Sequence, residues 1–214
     1  VRNTRPPRLE SQARKQIEAC LRHGTTTLEA QTGFGLSTSM EMKMLRVLNA
    51  LNHGCISIAP SFFGARMLPP DFSGRPQEYL STICSEIVPK LRERRFASFV
   101  GINCNPSGFS IEHARPFLEC ARRHGMSVKV HADQDARTDA VLLAVDVGAA
   151  SVDGLNHIHG SDIDELARSG TIATLLPAAV HQGAYSRFPP ARELLDAGAA
   201  VALGSAFDPA ISST

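Results

Sequence analysis

The five cysteines of this 214-residue chain include no Cys-x-x-Cys pair, and their odd number argues against a disulfide framework. Three of them, Cys20, Cys84 and Cys120, lie in helix-like segments beside apolar residues. Free cysteine behaves as a small apolar residue, so we expect these three to be buried thiols. A reducing cytoplasm is the compartment that fits this pattern best.

Long apolar runs and an excess of one charge are also absent. No run approaches the roughly 20 residues that span a bilayer, and the N-terminus lacks a signal-peptide pattern. The net charge is +1, with both signs mixed along the chain, which disfavours a surface for nucleic acid. We therefore expect a cytoplasmic protein without membrane or nucleic-acid partners, folded as one domain over residues 1–214.

Short apolar runs alternate along the chain with longer amphipathic stretches. Because most of the runs are apolar on both faces, they are typical of parallel strands covered by helices. The predicted strands are Thr25–Gln31, Cys55–Ser61, Ala97–Asn103, Ser127–His131, Ala150–Val152, Thr171–Leu176 and Ala200–Leu203. The predicted helices are Ser11–His23, Met40–Asn52, Glu78–Arg94, Ile111–His124, Asp135–Val147, Ile163–Ser169 and Ala191–Ala197.

Two α/β architectures accept this order, an open doubly wound sheet and a closed barrel. The one Gly-rich turn, Thr32-Gly-Phe-Gly35, lacks the third glycine of a dinucleotide-binding fingerprint. Polar residues instead follow several different strands, as they do where a barrel builds its active site. The pattern favours a TIM-like (β/α)8 barrel represented by strands 2–8, with the first strand expected upstream of Val1.

Three polar positions after predicted strands are candidates for chemistry. His131 ends an apolar strand, where it can ligate a metal or merely bond to the backbone. His157 and His159 would point the same way on an extended segment and could chelate a metal, although an exposed polar loop is equally plausible. Asp208 could bind metal or act as a base, or simply form an Asp-Pro turn.

Several longer motifs resemble imidazolonepropionases, which are metal-dependent hydrolases of the amidohydrolase superfamily. The resemblance runs along nearly the whole chain and keeps the family's order of motifs. The matching stretches are His23-Gly-Thr-Thr-Thr-Leu-Glu-Ala-Gln-Thr-Gly-Phe-Gly-Leu36, Met42-Lys-Met-Leu-Arg46, Pro69-Pro-Asp-Phe-Ser-Gly-Arg75 with Glu78-Tyr79, Val128-Lys-Val-His-Ala-Asp-Gln134, and Leu175-Leu-Pro-Ala178.

The resemblance implies an amidohydrolase barrel that binds one Zn or Fe ion. It also implies metal-assisted hydrolysis of a cyclic amide C–N bond, which converts 4-imidazolone-5-propanoate to N-formimidoyl-glutamate in histidine degradation. The expected partner is a small cyclic amide substrate, and a homodimer is compatible with the resemblance. The alternative is a catalytically inactive homologue that uses the barrel for binding or assembly.

Carried over by position, His131 matches a metal ligand of the family, and Gln134 stands beside the substrate and the attacking water. His157 is the candidate to replace a lost histidine, and Asp208 to replace a lost aspartate. Arg66 takes the place of a substrate-binding histidine of the family. Phe34 takes the place of a tyrosine.

Two further positions depart from the family's pattern. The family's Asp-His-Leu reads Asp153-Gly-Leu155, so Gly154 stands where a histidine assists the attacking water. The family's Thr-Asp-Phe-Asn-Pro reads Ser205-Ala-Phe-Asp-Pro209, so Ala206 stands where an aspartate ligates the metal. Neither Gly nor Ala supplies a donor atom from its side chain, and these losses put a metal site of the family's composition in doubt.

Overall fold

The structure is a computed structural model, and it describes residues 3–52, 54–106, 108–183 and 187–207. The chain divides into two compact units. The first contains Val1–Gly101 with Cys120–Met126, and the second contains Ile102–Glu119 with Ser127–Thr214. None of the described helices is long and apolar enough to cross a membrane.

The first unit alternates helices with two parallel strands. Its elements are α1 (Pro6–Arg22), β1 (Thr27–Gln31), α2 (Thr38–Leu51), β2 (Ser57–Ala65), a 3-10 turn (Pro70–Phe72), α3 (Pro76–Thr82), a π-helical segment (Ile83–Ile87) and α4 (Val88–Arg94). The strands β1 and β2 pair from Thr27 opposite Ser57 to Gln31 opposite Ser61. The apolar side of α1 packs on Val47, Leu51 and Ile58, which explains its amphipathic sequence.

The helix predicted over 78–94 is interrupted by the π-helical segment Ile83–Ile87. Pro89 stands in the first turn of α4, where its missing N–H costs least. A proline in the middle of one continuous helix would clash with the preceding turn, and the interruption avoids that clash. Apolar periodicity continues through the break, so the sequence pattern did not reveal it.

The second unit continues the α/β alternation after β3 (Phe99–Cys104), a strand divided between the two units. Strand β4 pairs in parallel with β5, β5 with β6, and β6 with β7, so strand order follows chain order. Its elements are α5 (Ile111–Arg123), whose last residues belong to the first unit, β4 (Ser127–Ala132), α6 (Ala140–Asp146), β5 (Ser151–Gly154), α7 (Gly160–Arg168), β6 (Ile172–Leu175), α8 (Pro177–Gln182), α9 (Ala191–Asp196) and β7 (Val201–Leu203).

One helix prediction in this unit was wrong at its start, and one helix was missed. Residues 135–139 form a loop, because the Asp133 carboxylate accepts hydrogen bonds from the backbone N–H and the hydroxyl of Thr138. Helix α6 therefore begins only at Ala140. The short helix α8 was not predicted, although Pro177 at its first turn is a typical helix start.

The cysteine prediction was partly wrong as well. All five cysteines are free, but Cys20, Cys84 and Cys120 are half-buried rather than buried. Cys104, at the end of β3, is the fully buried one, and Cys55 is exposed.

Candidate active site

His131 and Gln134 meet at the carboxyl end of β4. His131 is half-buried, and its Nε2 forms a hydrogen bond with the side-chain oxygen Oε1 of Gln134. Because an amide oxygen can only accept, Nε2 carries the proton in this arrangement. A neutral His131 therefore has its lone pair on Nδ1, and the two residues that were predicted as site members contact each other.

The backbone of Gln134 is fixed by asparagines that follow two other strands. Asn105, beyond the end of β3, accepts from the Gln134 N–H at 3.3 Å. Asn156, beyond the end of β5, donates from Nδ2 to the Gln134 carbonyl oxygen at 3.1 Å. Both asparagines are buried, so these bonds are shielded from competing water. Gln134 is thus held at a defined position rather than on a freely moving loop.

Asp133 organises the same turn from inside the protein. Its side chain is fully buried, with Oδ1 2.6 Å from the Thr138 backbone nitrogen and 2.7 Å from the Thr138 hydroxyl. Burial raises the pKa of this carboxyl, and the two hydrogen bonds from Thr138 partly oppose the shift. Within the described part of the chain, Asp133 Oδ2 has no hydrogen-bond partner. A buried oxygen without a partner disfavours the ionised form, which agrees with the direction of this shift.

Gly154, at the end of β5, lies close to the side chain of His131. Its φ is +106°, and a Cβ atom built on it would lie 2.7 Å from the Ala132 carbonyl oxygen. The same Cβ would lie 3.6 Å from Cε1 of His131. The position that carries a histidine in the resembled family is therefore adjacent to His131. Its backbone, however, has a conformation and a spacing that only glycine adopts without strain.

His157 does not lie on an extended segment, so the prediction that it and His159 point the same way is wrong. Strand β5 ends at Gly154, and Leu155 turns the chain with a φ of +71°. The His157 N–H donates to the Asp133 carbonyl oxygen at 2.9 Å. His159 is the N-cap of α7, where its backbone N–H donates to Oδ2 of Asp162 at 2.8 Å. These bonds involve the backbone of the two residues, and the assignment of His157 as a metal ligand stays a prediction.

A second polar cluster lies in the first unit, around Arg66 after β2. The Arg66 guanidinium carbon lies 4.7 Å from the centroid of the Phe34 ring and 5.4 Å from that of Phe63. Its Nη2 donates to Oε1 of Gln31 at 3.2 Å, and Gln31 in turn contacts Glu29. Stacking on two rings orients the guanidinium plane. The two predicted substrate-binding residues, Arg66 and Phe34, are in contact.

The loop that carries Phe34 is anchored by a buried carboxylate that the sequence pattern did not indicate. Glu41, in the first turn of α2, accepts from the Gly33 N–H at 2.8 Å and from the Gly35 N–H at 2.6 Å. Its side chain is 1% exposed. A Cβ on Gly33 would lie 2.6 Å from the Phe63 carbonyl oxygen, so this turn requires glycine. Phe34 itself is 44% exposed at the tip of the loop.

The described residues do not fit a metal ion of the expected kind. Among them, no group of three or more His, Cys, Asp or Glu side chains could hold one. His131 contributes one candidate ligand, but Ala206, with a φ of +47°, has no donor in its side chain. Asp208 falls outside the described residues. The donor set of the described chain is therefore smaller than the three or four ligands that zinc takes in proteins.

No protein-family model matches the chain. It is 36% identical over its full length to the imidazolonepropionase of Thermoanaerobacter pseudethanolicus, covering 52% of that protein. It is 36% identical to the imidazolonepropionase of Clostridium tetani, with 98% of the chain and 51% of the relative aligned. The chain is an imidazolonepropionase homologue. It spans about half the length of the curated relatives it matches.

Solved structures show the fold of this homologue. A 5-methylcytosine deaminase from Klebsiella pneumoniae superposes on 94% of the chain with a TM-score of 0.69 and 16% identity, over 53% of its own length. A guanine deaminase from C. acetobutylicum superposes with a TM-score of 0.68 and 15% identity, over 51% of its length. The fold is therefore the partial TIM-like amidohydrolase barrel that the sequence predicted.

Proposed function

We propose that this homologue takes part in hydrolysing the C–N bond of a small cyclic amide. The observation that carries the proposal is the set of hydrogen bonds that holds Gln134 at the end of β4. Asn105 and Asn156 bind its backbone, and His131 binds its side chain. In a barrel, the carboxyl ends of the strands are where catalytic residues lie. The similarity to imidazolonepropionases makes 4-imidazolone-5-propanoate the first substrate to test, with N-formimidoyl-glutamate as its product.

In the proposed reaction, water adds to the ring carbonyl carbon and the C–N bond then breaks. The ring nitrogen receives a proton as it leaves, and the carbonyl carbon becomes a carboxylate. Gln134 is the residue that we expect to orient the water, since its amide can both accept and donate. The hydrogen bond from His131 fixes the rotation of the Gln134 amide. Because the Gln134 backbone is also fixed, the residue does not lose conformational entropy during the reaction.

Arg66 is the proposed anchor for an acidic group on the substrate. A guanidinium forms two parallel hydrogen bonds to a carboxylate, and its stacking on Phe34 holds the plane in which they form. A substrate with a carboxylate side chain fits this chemistry better than a neutral one.

The metal belongs to the proposal only as an expectation from relatives. An adenosine deaminase from Xanthomonas campestris with the same fold carries bound zinc, at a TM-score of 0.63 and 15% identity. Since the described residues of this chain lack a sufficient donor set, no step of the proposed reaction is assigned to a metal. The roles given to Gln134 and Arg66 do not depend on one.

The test compares Gln134→Ala with Gln134→Glu and with Gln77→Ala, an exposed glutamine in α3, as the matched control. Product formation from 4-imidazolone-5-propanoate is followed by liquid chromatography and mass spectrometry on the full-length protein. Loss of a positioned polar group of this kind costs about 10²-fold in kcat. We expect that loss for Gln134→Ala and none for Gln77→Ala. Equal rates in all variants would contradict the role of Gln134, and absence of product from the parent would favour a binding protein.

A further inference from the structure

We propose that Glu29 is a positioning residue for Arg66, and that it acts through Gln31 to favour substrates that carry a carboxylate. The inference deepens the proposed function, because it rests on the role given there to Arg66. It is drawn from a chain of side-chain contacts within the first unit, near the carboxyl ends of β1 and β2.

The chain of contacts begins at the Glu29 carboxylate. Glu29 and Gln31 are two positions apart on β1, so their side chains lie on the same face of the strand. The Cα partner of Gln31 on β2 is Ser61, which is fully buried. The Ser61 hydroxyl donates to Oε1 of Glu29 at 2.6 Å, and Nε2 of Gln31 donates to the same oxygen at 3.4 Å. Donors from both strands therefore bind the carboxylate.

The charge on Glu29 determines which way the Gln31 amide points. A carboxylate can only accept hydrogen bonds, so the NH2 end of the amide must face it. The oxygen Oε1 of Gln31 then points the other way, where it accepts from Nη2 of Arg66 at 3.2 Å. If the amide were turned over, its NH2 group would face the guanidinium, and donor would oppose donor. Glu29 thus enforces the orientation in which Gln31 binds Arg66.

Other contacts restrain the rest of the Arg66 side chain. A Cβ atom built on Gly33 would lie 3.1 Å from Cβ and 3.3 Å from Cδ of Arg66, so the aliphatic stem packs against the glycine. The Phe34 and Phe63 rings orient the plane of the guanidinium, and the bond to Gln31 fixes its rotation within that plane. Because the Gln31 acceptor is a neutral amide, it fixes this rotation without cancelling the positive charge.

These contacts predict an effect on one class of substrate. A carboxylate uses both the charge and the orientation of a guanidinium when it forms two parallel hydrogen bonds. A neutral ester gains much less from either. Loss of Glu29 should therefore weaken binding of a carboxylate substrate selectively and change kcat little.

The test compares KM for 4-imidazolone-5-propanoate with KM for its methyl ester, using the full-length protein. Glu29→Met removes the acceptor and should raise KM for the acid about fivefold, the effect of one lost hydrogen bond, with KM for the ester within about twofold of the parent. Glu29→Gln keeps an acceptor oxygen and should recover most of the loss. Glu18→Met, at an exposed position of α1, should match the parent for both substrates.

Gln31→Glu changes the same chain of contacts in a different way. The new carboxylate would form an ion pair with Arg66 and compensate its charge. We expect KM for the acid to rise about tenfold and the preference for the acid over the ester to disappear. A merely structural role of these residues would instead lower kcat for both substrates and leave the ratio of the two KM values unchanged.

A binding measurement separates this inference from the proposed function. Imidazole-4-propanoate carries the same side-chain carboxylate but has no ring carbonyl to hydrolyse, and isothermal titration calorimetry gives its dissociation constant whether or not the protein turns over a substrate. We expect Arg66→Met and Glu29→Met both to weaken its binding. Weaker binding in Arg66→Met alone would overturn the role of Glu29 and leave Arg66 as the anchor. Unchanged binding in both variants would overturn both roles.

Discussion

Gly154 is the residue whose replacement tests the geometry of the site most sharply. A side chain at this position would cost stability in two separate ways. The φ of +106° would strain the backbone, and a built Cβ would lie only 2.7 Å from the Ala132 carbonyl oxygen. Backbone strain of this kind costs about 1–3 kcal/mol, and overpacking against a rigid neighbour costs about as much again. We expect Gly154→Ala to lower the free energy of unfolding by about 3 kcal/mol, which corresponds to roughly 6–12 °C in Tm.

Two other glycines separate these costs. Gly24 has a φ of +90° but no atom within 4 Å of a built Cβ, so Gly24→Ala should show the strain alone. Gly170 has neither a positive φ nor a close neighbour, so Gly170→Ala should change stability by less than about 0.5 kcal/mol. Urea titration followed by circular dichroism measures all three. A Gly154→Ala variant as stable as Gly170→Ala would refute the reasoning.

The same geometry bears on Gly154→His, the substitution that would restore the histidine of the resembled family. Because the strain applies to any side chain, the variant should be at least as destabilised as Gly154→Ala. A gain of activity would then require the strand end to shift. The backbone around position 154 therefore matches the glycine that is present and not the histidine of the family.

Three more predictions follow from buried or stacked groups. Glu41→Gln retains one acceptor oxygen and should lower the free energy of unfolding by about 1–3 kcal/mol, whereas Glu10→Gln on the surface should not change it in urea titrations. Arg137→Ala leaves the fully buried Asp162 carboxylate without its ion pair and should cost about 3 kcal/mol, and equal stability to the parent would contradict that pairing. Arg66→Met should raise KM for a carboxylate-bearing substrate about tenfold with kcat little changed, and an unchanged KM would remove Arg66 from substrate binding.

The strands were predictable because their signal is local. The predicted strand Ser127–His131 coincides with β4 to within one residue, and its two valines, Val128 and Val130, are buried in the core. Four predicted site residues also form two contacting pairs, Arg66 with Phe34 and His131 with Gln134.

The predictions that failed concern features set by specific contacts and backbone turns. The loop over 135–139 forms because a buried Asp133 captures Thr138, and His157 turns away because Leu155 adopts a positive φ. Neither feature changes the apolar periodicity on which the helix and strand predictions relied. Glu41 was missed for the same reason, since a glutamate in a helical pattern gives no sign that it caps a loop six and eight positions earlier.

The most direct test of the central claim is isotope incorporation by the full-length protein. The reaction of 4-imidazolone-5-propanoate is run in ¹⁸O-labelled water, and N-formimidoyl-glutamate is analysed by mass spectrometry, with Gln134→Ala alongside. Hydrolysis at the ring carbonyl predicts a single ¹⁸O atom in the new carboxylate, formed by the parent protein and much more slowly by the variant. Absence of product, or product without the label, would contradict the account.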